Sequence, residues 1–168
     1  MHVGFICDGN RRWAKKNNVL VAFGHKRGMQ NVQQIISSLP VNITAAAFYL
    51  LSAANIRERS KEEVLNIRFA INAVYPNLLV EDGVAMREEG ARTIYFLIGY
   101  DYEISRVELP PIDLVIRTGG HQRLSGFPPH QSAYADLYFT PTFWPDFSSV
   151  HLMEALTWGA KQHHNNGK

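Results

Sequence analysis

Three short, largely apolar runs, Val3–Cys7, Ala45–Leu51 and Asp113–Ile116, each end in a polar cluster. The clusters are Asp8-Gly9-Asn10, Ser52 with Asn55, and Arg117-Thr118-Gly119-Gly120. A brief apolar run bounded by turn residues reads as a buried strand. Arg92–Ile98, rich in Ile, Phe, Tyr and Leu, reads as another, and Leu137–Phe139 as a further one. Between these runs the spacing changes. Met29, Val32, Ile35 and Ile36 recur at helical intervals, with Pro40 just beyond. Val64, Ile67, Ile71, Val74 and Leu78 mark one helix face behind a capping pair, Ser60 and Glu63, and Pro76 is expected to kink or break that helix. Leu152, Met153 and Leu156 predict a last helix. Strands alternating with helices predict an α/β protein whose mostly parallel central sheet is flanked by helices. In such sheets ligands gather beyond the carboxyl ends of the strands. The three polar clusters are therefore expected to build one site from distant segments.

The chain has 168 residues, which suits a single domain over 1–168, with a frayed polar tail from about 160. Its 17 Lys and Arg stand against 15 Asp and Glu, a net charge of +2. That balance argues against a nucleic-acid partner held by bulk charge, so any anion site is local. Cys7 is the sole cysteine, which excludes an intramolecular disulfide and a Cys-rich metal site. A reducing compartment fits, and no apolar run reaches the roughly 18 residues needed to span a bilayer. The expectation is a cytoplasmic protein, with contact at a membrane surface if its substrate is a lipid.

Asp8-Gly9-Asn10-Arg11-Arg12-Trp13-Ala14 carries the first chemistry. Glycine admits a ligand close to the backbone, and a helix starting there aims free N–H groups outward. Arg12 can form paired hydrogen bonds to a phosphate. Asp8 repels a phosphate directly but can hold a magnesium ion that bridges to one. An Asx turn with solvated arginines is the plainer alternative. In Phe23-Gly24-His25-Lys26-Arg27-Gly28, Gly24 is expected just before a helix and His25 near its N-terminus, as a diphosphate donor, a proton carrier or simply a cap. Around Gly119-Gly120, Arg117, Arg123 and Ser125 make a credible diphosphate clamp after a buried strand. Asp136 is a second acid that could share a metal with Asp8, and His163-His164 lies in the polar tail.

Taken in order, these segments resemble the cis-prenyltransferase family. The resemblance rests on Asp8–Ala14, Gly24–Gly28, Phe48–Ser52, Arg59–Val64, Asp113–Gly120, Arg123–Ser125, Tyr134–Thr140 and Trp144–Phe147. It implies an α/β enzyme that joins isopentenyl diphosphate to an allylic prenyl diphosphate in cis geometry, with Mg2+, as a homodimer or heterodimer. It makes Asp8 the central acid for magnesium and catalysis. Gly9, Asn10, Arg12 and His25 would hold the allylic diphosphate, with Arg11 and Trp13 beside them. Arg117, Arg123 and Ser125 would hold the isopentenyl diphosphate. Asn55 and Arg59 match the polar pair near the reaction centre. Asp136 falls where the family has a glutamate that helps bind magnesium across the dimer.

The sequence also departs from the family pattern. Val21 stands in place of an arginine, Ala53-Ala54 in place of Ser-Glu, Ile56 in place of an aromatic, and His121 in place of a glutamate. The arginine-rich ending is missing. Only Tyr100–Ile112 joins two strands that the family separates by helices and a further strand, too little for such a crossover. A reduced sheet and a short product are expected. Two other readings stay open: a relative that branches or cyclises prenyl units, and a non-catalytic subunit.

Overall fold

A computed structural model describes residues 1–76, 78, 83–101, 103 and 109–162. The strands are β1 (His2–Ile6), β2 (Ala45–Ser52), β3 (Gly83–Glu89), β4 (Arg92–Tyr100), β5 (Leu114–Arg117) and β6 (Asp136–Phe139). The helices are α1 (Asn10–Lys16), α2 (Val21–Ser38), α3 (Ala53–Glu58), α4 (Lys61–Val74) and α5 (Ser149–Gly159), with one turn of 3-10 helix at Trp144–Asp146. One sheet runs β3-β4-β2-β1-β5-β6. Every neighbouring pair is parallel except β3 with β4, an edge hairpin closed at Gly90. The mostly parallel sheet read from the sequence is therefore present, with one antiparallel edge strand that its charged run Arg87-Glu88-Glu89 concealed.

The sequence boundaries need three adjustments. Gly24 does not precede a helix. It lies inside α2, where a Cβ would sit 2.5 Å from the Asn10 backbone oxygen, so its absence lets α1 and α2 touch. The helix begun by Ser60 ends at Val74, two residues before Pro76, leaving Leu78 beyond it. The α3 turn, which contains no buried residue, has no apolar spacing by which the sequence could announce it. Of the tail, residues 163–168, with His163-His164, lie outside those described.

Alternation along the strands builds two cores. Phe5, Phe48, Phe96 and Ile116 point to one face, where they meet Val32 and Ile35 of α2, Ile71 of α4, Trp144, and Leu152 of α5. Phe5 stacks on Phe48 at 4.7 Å and 7°. On the opposite face Ile6, Ala47, Tyr49, Leu97 and Val115 are covered by loop residues Leu109, Ile112 and Phe127. Thus α2 of the β1–β2 connection and α4 of the β2–β4 connection pack on one face, and the described residues Leu109 and Ile112 before β5, with Leu124 and Phe127 after it, on the other. Adjacent strands whose connections leave to opposite faces create a crevice at their carboxyl ends. Here those strands are β1 and β5. Among the described residues, no helix is long and apolar enough to cross a membrane.

Candidate active site

Asp8 follows β1 and Arg117 ends β5, so the fold sets them side by side at this crevice. The Asp8 carboxylate lies 2.9 Å from Arg117 Nη2 and, by its other oxygen, 3.1 Å from Arg12 Nη2. Its backbone oxygen accepts from Thr118 Oγ1 at 2.7 Å and from the Trp144 N–H at 3.0 Å. Asp8 is thus fixed at both ends. Gly9, at φ +115 and with Phe143 where a Cβ would go, makes the turn from β1 into α1.

The glycine loop after β5 is held by the same groups. Arg12 Nη1 donates to the Gly119 carbonyl at 2.7 Å while its guanidinium lies 5.2 Å from the Phe143 ring centre. Gly119 has φ +83, and a Cβ there would meet Arg12 Nη2. Arg117, 4% exposed, donates to Ser125 Oγ at 2.8 Å and to the Arg123 carbonyl. Its Nε, buried and without a partner among the described residues, faces the same interior. The Arg123 side chain is exposed at the rim.

Across the crevice a second cluster forms around Glu63. Its Oε1 accepts from Arg59 Nη1 at 2.9 Å, faces His25 Nε2 at 3.1 Å and lies 3.6 Å from Arg11 Nε. Arg59 Nε donates to Asn55 Oδ1 at 3.3 Å, and the Asn55 N–H is capped by Ser52 Oγ at 3.0 Å. The Glu63 carboxylate on α4 therefore gathers donors from α1, α2 and the C-cap of α3. Burial lowers the His25 pKa below its ordinary 6.5, opposed by the hydrogen bond to Glu63. Burial also lowers Arg59, offset by the same carboxylate. Burial, then the Asp8 charge, pushes the Cys7 thiol well above 9.0, so it is not a thiolate nucleophile.

These clusters are the walls of a cleft of about 690 Å³. Asp8, Gly9, Asn10, Arg11, Arg12 and His25 line it from one side. Asn55, Arg59, Arg117, Arg123 and Ser125 line it from the others, and His121 joins them. Trp13 stands outside. Its ring stacks on Phe23 at 6.4 Å and its Nε1 donates to Asp146 at 2.7 Å.

Asp136 is not brought to Asp8 within one chain. It starts β6, in register with Leu114 and so with Val3 at the amino end of β1. That is three residues short of the carboxyl edge, roughly 10 Å along the strand, and two strands away, about another 10 Å. The sequence also missed Glu63 as a site residue, reading it only as a cap. Its backbone N–H does cap on Ser60 at 3.2 Å, but its side chain turns to the cleft-lining residues Arg11, His25 and Arg59. The available signal was its place four residues after Arg59, an ion-pair spacing on a helix.

The sequence pattern of undecaprenyl diphosphate synthases, Prenyltransf, matches residues 6–97 and 99–167. The chain belongs to this undecaprenyl diphosphate synthase family. An isoprenyl transferase of Treponema denticola is 30% identical over 208 aligned positions covering 92% of each chain. A ditrans,polycis-undecaprenyl-diphosphate synthase of Vibrio vulnificus is 29% identical, over 94% of this chain and 86% of that one. The fold matches a crystal structure of lavandulyl diphosphate synthase from Lavandula x intermedia in complex with dimethylallyl diphosphate. That match has a TM-score of 0.75 at 23% identity and covers 99% of this chain and 98% of the other. Because 92% of 168 residues is about 155, some 50 of the 208 positions aligned with the Treponema relative stand opposite gaps here. This undecaprenyl diphosphate synthase homologue is thus shortened internally while the segments that build the cleft are kept.

Proposed function

We propose that the protein condenses isopentenyl diphosphate with an allylic prenyl diphosphate in cis geometry and releases inorganic diphosphate. The observation that carries this reading is the convergence of Arg12 and Arg117 on Asp8 at the crevice between β1 and β5, facing Arg11, His25 and Arg59. Two diphosphates bring several negative charges together, and a cleft rich in fixed guanidinium groups offsets them without reorganising. In this reading Gly9, Asn10, Arg12 and His25 receive the allylic diphosphate, and Arg117, Arg123 and Ser125 the isopentenyl diphosphate. As the allylic C–O bond breaks, Arg12 balances the charge growing on the leaving diphosphate. The alkene of the second substrate attacks the allylic carbon, and a proton leaves the new chain. Asn55 and Arg59, tied through Glu63 to His25, orient the reacting ends.

Among the described residues no group of three or more metal-ligating side chains occurs. Magnesium is nonetheless commonly held by one or two carboxylates together with substrate phosphates. Asp8, at the mouth of both proposed subsites, fits that donor set. When bound, Mg2+ would supply charge neutralisation at the leaving diphosphate. We further propose that residues 1–168 act as one unit and as a homodimer, in which Asp136 would serve a neighbouring subunit's site. A short product is supported by the internal shortening, which leaves only residues 101–113 between β4 and β5. The test is incubation with Mg2+, labelled isopentenyl diphosphate and geranyl or farnesyl diphosphate. The expected result is a short cis-linked product, lost on chelation of the metal. No condensation with any allylic primer would refute the reading.

A further inference from the structure

Charge is distributed unevenly along this chain. Residues 1–57 hold seven of the 17 Lys and Arg but only one of the 15 acids, Asp8, which is itself ion-paired. The net +2 of the whole chain hides this asymmetry. The basic third also carries a concentrated exposed apolar patch. Leu20 is 80% exposed and Phe23 52% exposed, with Val19 and Val21 beside them. All four lie at or next to the turn that joins α1 to α2. Exposed Lys15 and Lys16 close α1 on one side of the turn, and exposed Lys26 follows on α2. The neighbouring acid, Asp146, is engaged by Trp13, whose ring backs Phe23.

Single exposed apolar residues need no explanation, but a contiguous tip of them ringed by lysines does. We propose that the α1–α2 turn is a membrane-docking tip that inserts Leu20 and Phe23 into an anionic lipid surface, with Lys15, Lys16 and Lys26 on the headgroups. The combination favours lipid over a protein partner. Four side chains on a helix–helix turn offer far less than the roughly 800 Å² per partner of a standard protein interface. An apolar tip with flanking cations is instead how a peripheral protein divides its binding between acyl boundary and headgroup charge. Position adds a consequence. Val21 stands one helical turn, about 6 Å, from His25 in the cleft wall. Docking would therefore set the cleft mouth at the lipid surface, a consequence that rests on the prenyl-diphosphate reading above, whereas the docking itself does not.

Co-sedimentation with vesicles tests the docking independently of catalysis. The protein is expected to bind vesicles of phosphatidylcholine with 30% phosphatidylglycerol and to release as salt rises, with weak binding to pure phosphatidylcholine. Leu20→Ser with Phe23→Ser, and separately Lys15→Glu with Lys16→Glu, are each expected to weaken binding by on the order of tenfold or more. Melting temperatures should stay near the parent value, since all four side chains are exposed. Failure of the parent to bind anionic vesicles, or unchanged binding by both variants, would overturn the proposal. So would a change in oligomeric state of the Leu20/Phe23 variant with vesicle binding intact, which would make the tip a self-association surface. Loss of condensation activity with vesicle binding retained would count against the enzymatic reading alone.

Discussion

Asp8 Oδ2 lies 2.9 Å from the guanidinium of Arg117, although 109 residues separate them. The pair spans the carboxyl ends of β1 and β5, and Arg117 is almost wholly buried. Asp8 therefore has two tasks: it balances a buried cation and it presents its carboxylate to the cleft. Asp8→Ala is expected to abolish condensation while the fold persists. Arg117 would keep Ser125 and the Arg123 carbonyl but lose its counter-charge, at a cost of about 1–3 kcal/mol. Activity assays beside circular-dichroism melts check this. A variant with the parent rate would remove Asp8 from the mechanism.

Glu63 holds His25, Arg59 and Arg11 through a single oxygen. Glu63→Gln keeps the shape but removes the charge that offsets the partly buried Arg59. Condensation is expected to drop about tenfold or more, with a stability loss of about 1–3 kcal/mol. Because Glu63 raises the His25 pKa against burial, the imidazole should titrate at still lower pH in the variant. NMR titration of the ring reads that shift. An unmoved His25 titration would show that the carboxylate does not act through the histidine.

What the sequence disclosed follows from local chemistry. Apolar runs ended by glycine and amide residues marked β1, β2 and β5, and their polar ends marked the cleft. Strand β3 escaped because it is a half-exposed edge hairpin in which Arg87, Glu88 and Glu89 break the apolar pattern. Glu63 escaped because a capping box already assigns its side chain to the N-cap N–H, whereas in the fold that side chain meets Arg11, His25 and Arg59. That Asp136 stays apart from Asp8 within one chain was not legible, because an acid within a motif says nothing about which edge of the sheet it occupies. That is fixed by the β5–β6 register. The face taken by the shortened β4–β5 connection is likewise a tertiary property, set by strand order.

Gly28 in α2 faces Asn10, and a Cβ there would overlap Asn10 Oδ1, a buried oxygen with no partner among the described residues. Gly28→Ala should displace the Asn10 side chain from the cleft wall. Overpacking of this kind costs about 1–3 kcal/mol. Adding Asn10→Ala should restore the melting temperature by removing the clash, but not the activity, because the amide is then gone. Measured as a double-mutant cycle, the two changes should couple strongly in stability. Additive stabilities would show that Gly28 is not reserved for Asn10.

Acidification below pH 6.5 should destabilise this protein through two buried histidines. Burial lowers the pKa of both His25 and His2 below 6.5. His2 sits under the second-face loops, with Nδ1 facing the Pro110 and Pro111 carbonyls at 3.1 and 3.2 Å. Each histidine takes up its proton more readily in the unfolded chain than in the fold. Stability is therefore complete above pH 6.5 and declines as the pH falls through 6.5 towards the lower folded values. Melting temperatures measured from pH 8 to pH 5 should be flat at first and then fall. His25→Gln and His2→Gln should each flatten part of that fall, and the double variant most of it. A parent protein whose melting temperature does not change between pH 7 and pH 5 would show that neither ring is kept neutral by the fold.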